Sequence, residues 1–125
     1  MRYSLLLNYS EAGGAEVSAD DMAEWQAAFD AYAKSLDEAG VLLSADVLQP
    51  VAASTTVTLR NGSLQVQDGP FADTKEQLGG VFLIDVPDLD AALAWAEKCP
   101  AAQWGTIEIR PTGVFFADGG WQQTE

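Results

Sequence analysis

Asp68-Gly69-Pro70-Phe71-Ala72-Asp73-Thr74-Lys75-Glu76-Gln77-Leu78-Gly79-Gly80 is the stretch around which this 125-residue chain is organised. Asp-Gly-Pro is a turn signal, because glycine tolerates positive φ while proline fixes its own φ and biases its predecessor away from helix. Phe71 then sets a large apolar ring where a surface loop is normally polar. Asp73, Lys75 and Glu76 add charges within four residues. Gly79-Gly80 opens the next apolar run, as a close approach of another group would require. The stretch reads as an ordered, shaped loop, with Phe71 expected to be largely buried against its own sheet or a second subunit.

Upstream, Thr55 to Arg60 alternates through Val57 and Leu59, and Leu64 and Val66 alternate after Asn61-Gly62. Two such runs joined by Asn-Gly predict a β-hairpin over 55–67. Before it, Val41 to Leu48 reads as an extended segment closed by Pro50. Downstream, Val81-Phe82-Leu83-Ile84-Asp85-Val86 is a continuous apolar run, expected to be a strand buried on both faces.

At the start of the chain, Tyr3, Leu5, Leu7 and Tyr9 share one face of an alternating run from Arg2 to Tyr9, and Leu6 makes the second face partly apolar. That predicts a central strand. A loop through Gly13-Gly14 follows, and Ser18 with Asp21 resembles a capping box. Met22, Trp25, Phe29, Tyr32 and Leu36 recur at helical spacing, and Gly40 supplies the stop. A second helix starts at Asp88 as N-cap, with Leu89, Ala92, Leu93, Ala96 and Cys99 as its stripe and Pro100 as its end. Thr106 to Arg110 reads as the last strand. The tail carries Val114, Phe115, Phe116 and Trp121, and these aromatics are expected to pack on the domain or on a second copy.

The order strand, helix, strand, inserted hairpin, strand, helix, strand is an α+β arrangement, the ferredoxin-like βαββαβ with an insert. Its helices cover one face of an antiparallel sheet. Pairing the other face with a second copy, as a homodimer forming one α+β barrel, is the economical way to cover it. Residues 1–111 read as one domain, with 112–125 as a tail.

Composition narrows the function classes. Nineteen acidic residues against 6 basic ones give a net charge of −13, a field that repels phosphate backbones and anionic membranes. Neither nucleic-acid nor membrane partners are expected. The chain has no histidine and one cysteine, which leaves no basis for a zinc site and removes the commonest general base near neutrality. No cofactor is expected. The apolar block after Met1 is too short for a signal peptide, and a lone Cys99 suits a reducing cytoplasm.

The loop quoted above resembles that of the DGPF-domain proteins, a branch of the YCII-related family. The likeness extends through Gly40-Val41-Leu42-Leu43, Leu48-Gln49-Pro50, Asp88-Leu89-Asp90-Ala91-Ala92 and Glu108-Ile109-Arg110-Pro111. It implies a bacterial protein with a ferredoxin-like fold that dimerises into an α+β barrel. Some members of the family are thought to use a His-Asp dyad in hydrolytic or dehalogenating chemistry, and half of that dyad is absent from this sequence.

Asp68 is the first candidate carboxylate, as general base or ligand-orienting group at the barrel mouth, or as a cap on the following turn. Asp46, inside an apolar strand, is the second, with an edge-strand charge that discourages aggregation as its other reading. Lys75 and Glu76 offer either a polar floor for an anionic ligand or pairing partners across a dimer. Phe71 reads as an anchor in a neighbouring pocket. Tyr9, Trp25, Phe29 and Tyr32 either line an aromatic cavity or fill the core. Arg60 and Arg110, scarce cations at strand ends, suit carboxylates of protein or ligand. Cys99 reads as core. The function expected is a binding or regulatory module that holds a small organic molecule or a protein segment at the barrel mouth. The alternative is a histidine-free, hydrolase- or lyase-like enzyme using Asp68 or Asp46 as acid/base.

Overall fold

The computed structural model describes residues 1–10, 19–72 and 74–124. The expected loop through Gly13-Gly14, the Ser18 cap and Asp73 lie outside these residues. In chain order the elements are β1 (Arg2–Tyr9), α1 (Ala19–Glu38), β2 (Leu42–Val47), β3 (Thr55–Arg60), β4 (Ser63–Asp68), β5 (Gln77–Asp85), α2 (Leu89–Glu97), β6 (Thr106–Pro111), β7 (Val114–Ala117) and β8 (Gly120–Gln123). No described helix is long and apolar enough to cross a membrane.

β1 shows why its sequence chose a strand. Tyr3, Leu5, Leu7 and Tyr9 are all buried, while Arg2, Ser4, Leu6 and Asn8 between them are half-buried. The period of two has sorted the side chains onto two faces. β1 pairs antiparallel with β5 on one side and β6 on the other, and β2 joins beyond β5, giving the sheet order β2-β5-β1-β6. The register sets Leu5 opposite Phe82 and Ile109, and Leu7 opposite Ile107. This is the α+β sheet that the βαββαβ order predicts.

Both helices cover the same face. Tyr32 and Leu36 of α1, and Ala92 and Ala96 of α2, join Tyr3, Leu5, Leu7, Phe82 and Ile84 in one core cluster. α1 ends in a glycine cap: the Val41 amide donates to the Leu36 carbonyl at 3.1 Å and the Gly40 amide to that of Asp37 at 3.0 Å. Gly40 sits at φ +75°, a conformation that glycine adopts without the Cβ penalty. α2 begins as the sequence implies, with the Asp88 carboxylate accepting from the Ala91 amide at 2.9 Å.

Four features differ from the sequence reading. β5 starts at Gln77, so Gly79-Gly80 lies inside the strand, and Val81 and Leu83 on its second face are only half-buried because the described residues leave that face uncovered. Leu89 and Leu93 of α2 are each 50% exposed; the helix presents its small Ala92 and Ala96 to the sheet and the leucines fall at the margin. Met22 is likewise exposed, so the packed stripe of α1 runs from Trp25 to Leu36. The tail after β6 is ordered as a further antiparallel hairpin, β7–β8. Its Phe115 ring lies 3.9 Å from the Arg2 guanidinium carbon, and the Thr112 amide donates to the Arg2 carbonyl.

The inserted hairpin is a separate two-stranded sheet, with Val57 opposite Val66 and Leu59 opposite Leu64. Asn61 at φ 51° and Gly62 at φ 76° form its tip, the left-handed pair that a two-residue turn with strand-compatible twist requires.

Candidate functional site

The loop after the hairpin is held by short local bonds. The Gly69 amide donates to the Ser54 carbonyl at 2.8 Å and the Thr56 hydroxyl to the Gly69 carbonyl at 2.7 Å. Further on, the Thr74 hydroxyl donates to the Glu76 carbonyl at 2.6 Å, and Gln77 Nε2 to the Thr74 carbonyl at 3.1 Å. Gln77 Oε1 is buried with no partner among the described residues. The Thr106 hydroxyl donates to Glu76 Oε1 at 2.8 Å, tying the loop to the start of β6.

Phe71 corrects the expectation of burial against its own sheet: the ring is 90% exposed. Gly69, at φ +105°, turns the chain so that the residue after Pro70 leaves both the hairpin and the sheet. Asp68 ends β4 opposite Thr55, and its carboxylate makes no hydrogen bond or ion pair among the described residues. Lys75 is exposed beside Glu76.

The aromatic candidates are brought together. Tyr9 is buried, its hydroxyl donating to the Gly79 carbonyl at 3.1 Å. Its ring meets Trp25 edge-on at 5.9 Å and Trp104 at 5.0 Å. Trp25 meets Phe29 at 5.2 Å, and Tyr32 meets Phe82 at 5.4 Å. These rings fill the space between helix and sheet by touching one another, Tyr9 with Trp25 and Trp104 and Trp25 with Phe29 in the edge-to-face geometry that their quadrupoles favour, Tyr32 with Phe82 tilted. What remains is an open groove outside them, about 310 Å³, bordered by Trp25, Trp104, Asp21, Glu24 and Lys98. Sequence reading missed Trp104, which sits after a short 3-10 turn with no periodicity; its one signal is Gly105, where a Cβ would lie 2.4 Å from the Asn8 carbonyl oxygen.

Tyr32 and Cys99 behave as core groups. The Tyr32 hydroxyl donates to the Trp95 carbonyl at 2.7 Å. Burial, with the neighbouring Cys99 adding to it, holds that hydroxyl protonated well above the usual tyrosine range. Burial likewise pushes the Cys99 thiol up, against the smaller opposing effect of hydrogen bonds from the backbone at Ala101 and Ala102.

The remaining candidates are dispersed. Asp46 is exposed on β2, at one edge of the sheet, opposite Val81. Arg110 is on β6 at the other edge, where its Nε lies 3.5 Å from Glu108. Arg60 sits at the exposed tip of the β3–β4 hairpin. Alternation places Ser4, Leu6, Asn8, Val81, Leu83, Thr106, Glu108 and Arg110 on the sheet face away from the helices. That face is apolar at its centre, around Leu6, Val81 and Leu83, and hydrogen-bonding at its margins. Among the described residues no cluster of His, Cys, Asp and Glu has the makings of a metal site.

Fold and site together define a small α+β protein with one helix-covered sheet face and one open face of mixed polarity. Residues 1–115 match the model of the YCII-related domain, and the chain belongs to that family. Among similar sequences, an uncharacterised protein of Rhizobium meliloti (strain 1021) is 42% identical over 80 residues, a stretch that covers 62% of this chain and 64% of the relative.

Proposed function

We propose that this YCII-related protein acts as a homodimer whose open sheet faces pair into one α+β barrel, and that it is a binding or regulatory module. In this reading a small organic molecule is held where the Asp68–Glu76 loop meets the sheet. The observation that carries it is the open face: Leu6, Val81 and Leu83 form an apolar centre, ringed by Ser4, Asn8, Thr106, Glu108 and Arg110. A molecule with an apolar body and a few polar groups matches such a surface, because small-ligand sites are mostly apolar with a few placed hydrogen-bonding groups. The Thr106–Glu76 bond at 2.8 Å supplies an oriented carboxylate at the loop end. Binding stands ahead of catalysis because the chain lacks histidine, and because Asp46 and Asp68 are both exposed, on separate elements.

Sedimentation equilibrium combined with a thermal-shift screen of small metabolites tests this. The expected mass is twice 13.3 kDa. A ligand at about a hundred times its Kd is expected to add roughly 2.7 kcal/mol of stability, and Glu76→Gln is expected to reduce the shift. A monomer mass at micromolar concentration, with no metabolite raising the midpoint, overturns the proposal.

A further inference from the structure

β6 leaves one side of the main sheet unpaired. It is the last strand in the order β2-β5-β1-β6, and among the described residues no strand lies beyond it. The Thr112 amide donates to the Arg2 carbonyl at 2.9 Å, and the β1–β6 register carried one step further sets those two residues opposite each other. Backbone groups point alternately to either side along an antiparallel strand. Thr106, Glu108 and Arg110 therefore turn theirs to β1, while Ile107 and Ile109 present amide and carbonyl outward and Pro111 a carbonyl alone. Such an edge is a template for another strand.

Charge identifies the occupant. In a chain of net −13, β6 is neutral: it holds one acid and one base, Glu108 and Arg110. Both are exposed, on the sheet face away from the helices, with Arg110 Nε 3.5 Å from Glu108. When a second β6 lies antiparallel with Ile109 opposite Ile109, each Glu108 falls opposite the other copy's Arg110. Sliding the second strand by two residues sets Glu108 opposite Glu108 in one direction and Arg110 opposite Arg110 in the other, and like charges directly opposite are destabilising. In the favoured register the two Ile109 residues exchange both backbone hydrogen bonds, and each Ile107 amide meets the other copy's Pro111 carbonyl. Proline thus ends the ladder without leaving a donor behind. On the helix side a groove of about 320 Å³ runs between α2 and β6, lined by Leu93, Ala96, Ile107 and Ile109. The same two-fold operation sets two such grooves side by side, giving the 50% exposed Leu93 of each copy an apolar neighbourhood.

We propose that β6 is a self-pairing edge: it adds antiparallel to β6 of a second copy about a two-fold axis at Ile109, joining two four-stranded sheets into one. The contact is isologous, Glu108 of each copy meeting Arg110 of the other. It shares self-association with the function proposed above but uses the edge of the sheet instead of its open face, so the two readings fail separately.

The test is hydrogen exchange of the full chain, read amide by amide by NMR over a dilution series, with sedimentation equilibrium alongside. The Ile107 and Ile109 amides are expected to exchange about tenfold or more slowly in the associated protein than after dilution, since a bonded amide exchanges only when its bond opens. The Glu108 amide, turned to β1, is expected to stay protected throughout. Leu83→Lys, in the open face opposite Ser4 and Ser44, is expected to leave the Ile107 and Ile109 protection in place. In that background, with folding confirmed by circular dichroism, Glu108→Arg and Arg110→Glu are each expected to weaken self-association about tenfold. Mixed in equal amounts the two are expected to recover it, because the two bases of one face the two acids of the other. Ile107 and Ile109 amides that exchange freely at every concentration, or that lose their protection in Leu83→Lys, overturn the edge pairing. A mixture that fails to recover overturns its register, and a wild type that is monomeric throughout overturns it altogether.

Discussion

The Tyr9 ring occupies the space that a side chain at residue 79 would need: a Cβ built on Gly79 lies 2.1 Å from Tyr9 Cζ and 2.2 Å from its hydroxyl oxygen. The same hydroxyl donates to the Gly79 carbonyl, so the glycine gives the ring both room and an acceptor. Tyr9 in turn carries Trp25 and Trp104. One hydrogen atom at position 79 thus decides whether the aromatic cluster closes over the end of the sheet.

Gly79→Ala is expected to destabilise the protein by about 1–3 kcal/mol, since overpacking forces the ring off its site. Gly80→Ala is milder, its Cβ meeting the Asp46 carbonyl oxygen at 3.2 Å. The check is urea denaturation of both variants and of Gly79→Ala in a Tyr9→Ala background. With the ring gone, the cost at 79 falls to within about 0.5 kcal/mol, because the two effects are coupled only through that contact. An equal cost in both backgrounds would assign the glycine to backbone conformation.

Phe71→Ala is expected to change the unfolding free energy of the unassociated chain by no more than about 0.5 kcal/mol, as a surface substitution. The ring is 90% exposed and so has no packing to lose. Chemical denaturation at high dilution measures this. A loss near 3–5 kcal/mol would mean that the ring fills a pocket after all, one its own chain does not show.

The strands and helices were legible wherever pattern and cap agreed. The alternation from Arg2 to Tyr9, the α1 stripe closed by Gly40, the Asn61-Gly62 turn and the Asp88 cap each state one local geometry by more than one signal, and each is observed. β7 and β8 were not recognised, although Asp118 at φ 53° and Gly119 at φ 78° repeat the turn geometry of Asn61-Gly62. Strands of four residues are too short for alternation to show. Phe71 failed for a different reason: sequence reveals that an apolar ring is costly to leave wet, and not what covers it. The open face of β1 was readable at Ser4, Leu6 and Asn8, but its partners Thr106 and Glu108 come from a strand whose register no local pattern fixes.

Asp88→Ala is expected to destabilise by about 0.5–2 kcal/mol, the usual cost of losing a side-chain cap. The carboxylate accepts from the Ala91 amide at 2.9 Å, and α2 spans only Leu89–Glu97, so little else holds its first turn. Asp88→Ser or Asp88→Asn should recover most of the loss in thermal denaturation. Failure of both to do so would place the effect in charge at the helix end instead of the hydrogen bond.

Alkali should unfold the protein through two buried groups in sequence. Cys99 and Tyr32 each hold their proton more tightly when folded than at their ordinary values of 9.0 and 10.0. A group whose folded pKa is raised contributes stability that is complete below the unfolded value and is lost as pH climbs toward the folded one. The decline therefore starts as pH passes the ordinary cysteine value and steepens past that of tyrosine. Measuring the urea midpoint from about pH 8 to pH 11 follows both ionisations. Cys99→Ala is expected to remove the earlier part of the decline. Tyr32→Phe removes the later part, while costing about 1–3 kcal/mol at neutral pH because the Trp95 carbonyl loses its donor inside the core. In the folded state the Cys99 thiol, 1% exposed, should resist a thiol reagent near neutral pH and react once the chain is denatured. Rapid labelling of the native protein, or a midpoint flat through the alkaline range in the unmodified chain, would show that neither group is held as this core holds them.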